Sequence, residues 1–433
     1  MNFLFPTYWK TKKLKFAFKI LNGSTPSTSE PEYWDGDINW FTPDDLGSNS
    51  NKYIYESKRK ISQEGYANCG VKIAPPDSIA ISTRAPIGHI AILKQEGCVN
   101  QGCRLLVPQE EDSSYYYYLL LSLKEYMLSL GQGSTFFELS RQKLSAINLP
   151  FPPKTEQETI ASFLDYKTKQ IDDLIEKKEQ LLKLLDEKRI TLITQSVTKG
   201  LTPNVKMKPS GIEWLGNIPE HWNLWQLKRI SQITYGIGGE IDKDITEGTR
   251  LLSLPNVTFQ GNIKLDEEYY IELNDIEKKL YLLKKGDLLF NWRNGSSEHL
   301  AKTAIIDFDG EFTHVSFLLR LRFSENNDSR YFRYLLNSLR ATGFFSSSKA
   351  GVNNTFNLTE LSNLFLMIPS FDEQIAISDF LDNELNNIIS LQKVILNAID
   401  KLKEYRTSLI ISAVTGKIDV RNFKLEKIKG ETI

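Results

Sequence analysis

The chain has 433 residues, and its 53 lysines and arginines almost balance 54 aspartates and glutamates, leaving a net charge of −1. That balance excludes a protein that holds nucleic acid by bulk positive charge, so such a role would need local patches or a partner that brings the charge. The 41% hydrophobic content excludes a wholly disordered chain, and the longest apolar run, Tyr115–Leu123, falls far short of the ~20 residues that span a bilayer.

Residues 1–153 read as a first mixed unit. Val71–Leu93 predicts strand, turn, strand, with Asp77 opening an apolar run that ends just before Arg84. Ser113–Leu130 predicts an aromatic-rich helix, and Gly131–Ser140 a polar turn. A long helix follows over 154–199, since Glu156–Thr198 holds neither Pro nor Gly and Thr155 can cap it. Its apolar series repeats every seven residues at Leu164, Ile171, Lys178, Leu185 and Leu192, flanked by Leu174, Leu181 and Leu182. The lone Lys178 in that seam lowers stability and helps fix register.

A Gly- and Pro-dense linker, Val197–Trp222, opens a second mixed unit over 200–370. There Leu283–Ile306 takes the place of the first strand pair, with Asp287 and Arg293 for Asp77 and Arg84. Arg330–Phe345 predicts the second aromatic helix, and Lys349–Thr359 the second polar turn. A second long helix is expected over 371–418, with Asp372 as its cap and a seam at Leu381, Ile388, Ile395, Leu402 and Leu409, flanked by Leu385, Leu391 and Ile399. Residues 419–433 form a tail.

The order of these elements is a duplication. Thr155–Asp165 lies over Asp372–Asp382, and Leu192–Thr198 over Leu409–Thr415, at one offset. Pro6, Trp9, Leu14, Lys15, Ile20 and Gly23 lie over Pro219, Trp222, Leu227, Lys228, Ile233 and Gly236 at an offset four residues smaller. The spans between these anchors match in length but not in sequence. A long helix with one apolar stripe needs a partner along its length, and the obvious partner is its own copy. The expected fold is therefore α+β, two mixed units separated by a long antiparallel two-helix coiled coil with a pseudo-twofold internal repeat.

Catalytic motifs are missing. The chain holds no GxxxxGK[ST] loop, no HExxH and no CxxC, and its four histidines and three cysteines show no metal-ligand spacing. Gly236–Gly239 is too short for a nucleotide loop. The odd cysteine count suits a reducing compartment, and the N-terminus does not read as a secretory signal, so a cytoplasmic location is expected. Candidate DNA-contacting residues are the run Lys58, Arg59 and Lys60, then Arg84 and Arg104, Arg293 and Asn294, and Arg320 and Arg322. Arg and Asn make bidentate contacts to guanine and adenine edges, and Lys and Arg on turns hold phosphates. Arg330, Arg333 and Arg340 add a further basic cluster, whereas Lys10, Lys12, Lys13, Lys15 and Lys19 suit a solvated face.

Twice the chain runs through Pro, a short spacer, Glu-Gln, Ile-Ala and a long helix ending in a Val-Thr tail, at Pro152–Gly200 and Pro369–Lys417. With SGIEWLGNIPEHW (Ser210–Trp222) before the second unit, the sequence resembles the specificity subunit of type I restriction–modification systems. The first unit keeps only Pro6 and Trp9 of that segment. The resemblance implies a non-catalytic subunit with two target recognition domains, each reading one half of a split double-stranded DNA sequence. It also implies that the paired helices dock two methyltransferase subunits, that restriction subunits join them, and that S-adenosylmethionine, ATP and Mg belong to those partners. This chain would bind no metal, cofactor or membrane. The competing expectations are a stand-alone bipartite DNA-binding regulator, a fused restriction–methylation enzyme and a structural stalk.

Overall fold

The computed structural model describes residues 5–84, 86–132, 137–238, 245–266, 269–294, 296–347 and 355–423. Parts of both predicted polar turns, Gly239 and the tail from residue 424 lie outside the described residues. Contacts divide the chain into two compact units, one of residues 1–178 with 396–433, the other of residues 179–395. Each long helix, Lys154–Lys199 and Phe371–Val414, is thus shared between the units.

The first unit contains β1 (Lys10–Lys13), β2 (Phe18–Asn22), β3 (Trp34–Phe41), β4 (Tyr53–Ile54), β5 (Lys60–Ile61), β6 (Ile79–Ser82), β7 (Ile90–Leu93), β8 (Gly97–Val99), β9 (Cys103–Pro108) and β10 (Asn148–Phe151). A five-stranded sheet has the order β2-β9-β6-β7-β4, a three-stranded sheet the order β5-β3-β8, and β1 pairs with β10. Fully buried Ala80, Leu93, Val99 and Leu105 belong to one apolar cluster drawn from both sheets. The expected strand–turn–strand is the antiparallel pair β6–β7. The three cysteines are free; burial pushes the Cys98 thiol up to about 12, which keeps it an inert core group.

The second unit contains β11 (Met207–Pro209), β12 (Asn217–Pro219), β13 (Asn223–Gln226), β14 (Ser231–Tyr235), β15 (Thr249–Leu252), β16 (Tyr270–Ile271), β17 (Leu288–Asn291), β18 (Thr303–Ile305), β19 (Phe312–His314), β20 (Leu318–Phe323) and β21 (Phe365–Ile368). Its larger sheet runs β14-β20-β17-β18, its smaller one β16-β15-β19, and β13 pairs with β21. The senses agree as well: β3 pairs antiparallel with β5 and parallel with β8, and β15 does the same with β16 and β19. The interiors that share no readable sequence therefore share strand order and pairing, apart from β4, which pairs parallel with β7 and has no counterpart among the described residues of the second unit.

The aromatic helices are each broken. Leu123 separates Ser113–Ser122 from Lys124–Leu130, and Gly343, at φ 78°, separates Ser329–Ala341 from Phe344–Ser347. The long helices start one residue before the expected caps. Glu156 and Gln157 bond the Pro153 carbonyl, and the Ser370 side chain accepts from the Glu373 N–H.

The duplicated residues fasten each long helix to a unit. Gln157 is buried; its Oε1 accepts from the Asp112 N–H at 2.9 Å and its Nε2 donates to the Pro152 carbonyl at 3.0 Å. Gln374 repeats both bonds with Asp328 and Pro369, at 2.9 and 3.1 Å. Asp112 and Asp328 are themselves the N-caps of the aromatic helices, so one amide ties two helix starts together. Asp165 accepts from the Tyr118 hydroxyl and Lys52, and Asp382 from the Tyr334 hydroxyl, Arg330 and Arg333. The far helix ends close in reverse. The Tyr115 hydroxyl donates to the Val414 carbonyl within the first unit, and the Tyr331 hydroxyl to the Val197 carbonyl within the second.

Within each unit the helix segments run antiparallel. In the first, Asp172 meets Arg406 while Phe163 meets Phe423. In the second, Asp186 meets Gln392 while Gly200 packs against Glu373. Of the expected seam, Leu164, Ile171, Leu185, Leu381, Ile388, Ile395 and Leu409 are buried, and Lys178, Leu192 and Leu402 half-buried. The flanking Leu174, Leu181 and Leu391 are instead exposed, at 43%, 42% and 45%. A straight α-helix drifts by ~20° per heptad, which turns such flanks outward.

Candidate functional site

The strands after Asp77 and Asp287 place two arginines alike. Arg84 follows β6 and forms a backbone bridge with Glu138, and Arg293 follows β17 and forms one with Thr355. The Leu139 N–H bonds the Thr83 carbonyl, as the Phe356 N–H bonds that of Trp292. The two sites differ in side chain. Arg84 donates to Glu138 at 2.8 Å and Arg104 reaches the same carboxylate at 3.4 Å. Arg104 also donates to the Gln101 and Cys103 carbonyls, and burial lowers its basicity. The Nε atoms of both arginines are buried without a hydrogen-bond partner.

With Thr355 where Glu138 stands, Arg293 is exposed and makes no ion pair among the described residues; its guanidinium lies 5.8 Å from the Phe317 ring. Asn294 accepts from the Ser296 N–H and lines a recess of about 490 Å³ with Phe259, His299 and Lys302. The Phe259 and His299 rings are 5.0 Å apart, and Lys302 donates to the Val257 carbonyl. Burial lowers the Lys302 pKa. Sequence reasoning missed these three residues because Phe259 comes from a different segment than His299 and Lys302, which share the β17–β18 connection with Asn294, and none carries a periodic signal.

The remaining candidates scatter. Lys58 pairs with Asp44 at 2.6 Å, Arg59 stacks 3.7 Å from the Trp34 ring, and Lys60 sits 3.6 Å from Glu56. The expectation of an accessible face at Arg320 and Arg322 is corrected. Arg320 is 2% exposed and donates to the Leu280 and Leu282 carbonyls. Arg322 holds buried Asp287 at 2.6 Å and also donates to Leu282. Both secure the C-terminal carbonyls of the short helix Asp275–Tyr281, where a cation complements the helix dipole. Arg330 and Arg333 are engaged by Asp328, Asp379 and Asp382, and Arg340 lies over the Phe259 ring. Among the described residues no cluster of His, Cys, Asp and Glu could hold a metal ion, and no helix is long and apolar enough to cross a membrane.

The family model "Type I restriction modification DNA specificity domain" matches residues 6–184 and 245–401, once across each repeat. The chain belongs to the type I restriction–modification DNA specificity family. Such proteins are the non-catalytic, sequence-recognising components of their systems. This specificity protein is 29% identical over 428 residues to the type I restriction enzyme MjaIX specificity subunit of Methanocaldococcus jannaschii, covering 96% of this chain and 94% of that one. Two solved structures share its fold at 14% identity. One comes from a study of complex assembly and conformational transition in the type I R-M system, with a TM-score of 0.75 over 96% of this chain and all of that one. The other is the HsdS subunit of Thermoanaerobacter tengcongensis, with a TM-score of 0.62 over 96% and 99%.

Proposed function

We propose that the chain reads a split, asymmetric double-stranded DNA target, one half-site per unit, and brings methyltransferase and restriction subunits to it. The observation that carries this reading is the matched pair of sites after β6 and β17. One strand framework presents Arg84 with Arg104 and Glu138 in one unit, and Arg293 with Asn294 and Thr355 in the other. A shared frame with different side chains suits two half-sites of different sequence, since base edges are read by particular donors and acceptors.

The domains are residues 1–153 and 200–370 and the first spacer helix 154–199; the second spacer helix starts at 371 and ends at Val414, four residues short of the expected 418, ahead of the tail 419–433. The long helices act as the spacer and as the dock for two methyltransferase subunits. Leu181, Leu184 and Ile190 on one helix, and Ile389, Leu391 and Val394 on the other, are exposed apolar side chains, which supports a protein-binding surface. The chain takes no cofactor, and S-adenosylmethionine, ATP and Mg act in the partners. The near-neutral charge fits partners that supply much of the phosphate contact.

Methylome sequencing of cells with and without the chain tests the reading. A split adenine-methylation motif that disappears with the chain is the expected result. An unchanged methylome, with tight DNA binding by the chain alone, would favour a stand-alone regulator.

A further inference from the structure

The first unit carries a groove of about 810 Å³ along β2, the edge strand of the five-stranded sheet. Lys15, Lys19, Lys72 and Arg141 line it, with Asn22 and Gln109 among the polar groups and no carboxylate. All four cations are exposed, and none makes an ion pair among the described residues. Arg141 is oriented by its bond to the Ile20 carbonyl on the free edge of β2. At its far end β2 pairs Asn22 with Arg104, so the groove leads to the Arg84–Glu138–Arg104 cluster.

Lysines on an edge strand can simply discourage edge-to-edge pairing. That explanation would apply equally to β14, which occupies the same edge of the second unit. There Gln232 stands for Lys19 and Leu358, the first residue after the helix cap, stands for Arg141. Lys228, the counterpart of Lys15, donates to Asn363. The fold therefore does not require the charges of Lys19 and Arg141, which the second unit replaces with Gln232 and Leu358, whereas the charge of Lys15 is kept at Lys228. In a chain of net charge −1, four uncompensated cations in one concavity form a polyanion site.

We infer that Lys15, Lys19, Lys72 and Arg141 hold the phosphate backbone of DNA beside the half-site read by the first unit, and that the second unit has no equivalent grip. This rests on the reading of the chain as a DNA specificity protein. The grip is independent of sequence, because phosphate contacts set register and orientation without reporting bases. The two half-sites would then contribute unequally to the salt dependence of binding.

The test is DNA binding by the full-length chain, co-expressed with its methyltransferase partner, across a salt series on cognate and non-cognate duplexes. Each phosphate contact adds ~0.9 to the slope of log affinity against log salt. The combined variant K15Q/K19Q/K72Q/R141Q is expected to lower that slope by up to ~3.6 and to weaken both duplexes by the same factor, leaving their ratio unchanged. K15R/K19R/K72R, which keeps the charge, should retain the parental slope, as should K228Q in the second unit. A quadruple variant with parental melting temperature and parental slope overturns the inference, and so does a change in the cognate ratio at constant slope. A parent complex that binds no DNA overturns both this inference and the proposed function.

Discussion

Arg406 grips Asp172 in a two-pronged ion pair within the first unit, Nε to Oδ1 at 2.8 Å and Nη2 to Oδ2 at 3.1 Å. The pair joins the two long helices, and its partners are 29% and 50% exposed at the side chain. Solvent screening limits its worth despite the good geometry. A double-mutant cycle of R406A and D172A should give a coupling of about 0.5–1 kcal/mol that shrinks in high salt. A coupling indistinguishable from zero at low salt would show that the pair does not link the helices in solution.

Gln157 and Gln374 should matter far more. Replacing either with Leu leaves a buried Pro carbonyl without its partner, at about 1–3 kcal/mol, and a part-buried Asp N–H whose loss costs less. Chemical denaturation should show a loss of about 1–3 kcal/mol for Q157L and Q374L alike. A variant within 0.5 kcal/mol of the parent would mean that water replaces the amide.

Neighbouring leucines on the first long helix should separate packing from docking. Leu185 is 8% exposed and Leu184 59%. L185D buries an unpaired charge and should cost several kcal/mol. L184D should leave stability within about 0.5 kcal/mol yet weaken co-purification with the methyltransferase. Parental assembly by L184D would remove that face of the helix from the docking surface.

His314 supplies a pH signature. It is fully buried on β19, where the first unit has Val99 in the matching register, opposite Phe41 as His314 is opposite Leu252. Burial, with Arg320 nearby as a lesser cause, holds its pKa down at about 3. An exposed histidine titrates near ~6.5. Between these values the unfolded chain binds the extra proton. The native state is therefore fully favoured above about pH 6.5 and loses stability as pH falls towards 3, by at most ~1.4 kcal/mol per pH unit. H314V should flatten that slope between pH 6.5 and 4.5 in denaturation curves. An unchanged slope would assign the pH dependence to other groups.

The spacer reading makes its own demand. A seven-residue insertion at the same level of both long helices keeps the seam and adds ~10 Å, about three base pairs of DNA. The methylated motif should keep both half-sequences and either widen its gap or lose activity. An active variant with an unchanged gap would show that the helices do not set the spacing.

What the sequence disclosed follows from how directly each feature is written. Gln157 and Asp165 recur as Gln374 and Asp382 because each makes side-chain bonds that its residue type supplies, and Val197 recurs as Val414 in a fully buried position, so the helices and the duplication were legible. The sheets inside the units were not, because alternation can be kept by many side chains: Leu21, Leu105 and Val99 of one unit correspond to Thr234, Arg320 and His314 of the other. Arg320 illustrates the cost. Its alternation with Arg322 reads as a charged surface, and nothing local reveals the helix carbonyls that both meet. Lys15 and Lys19 are exposed, as a solvated face would be, but the groove they line was not legible, since Lys72 and Arg141, which complete it, come from distant segments.

The bond from the Tyr115 hydroxyl to the Val414 carbonyl spans 299 positions of the chain. The apolar cluster around it joins Trp9 and Leu14 to Leu409, Ala413 and Val420. On the ribosome, where chains usually complete their N-terminal domain first, this order is denied to the first unit. Its earliest strands wait, with apolar surface uncovered, until the last turns of the second long helix emerge. The second unit, contained in residues 179–395, can close sooner. A stop codon just before Leu409 would consequently spare the later-made unit and cripple the earlier-made one, so that a lesion in the second long helix would fall on the half-site read by the first unit.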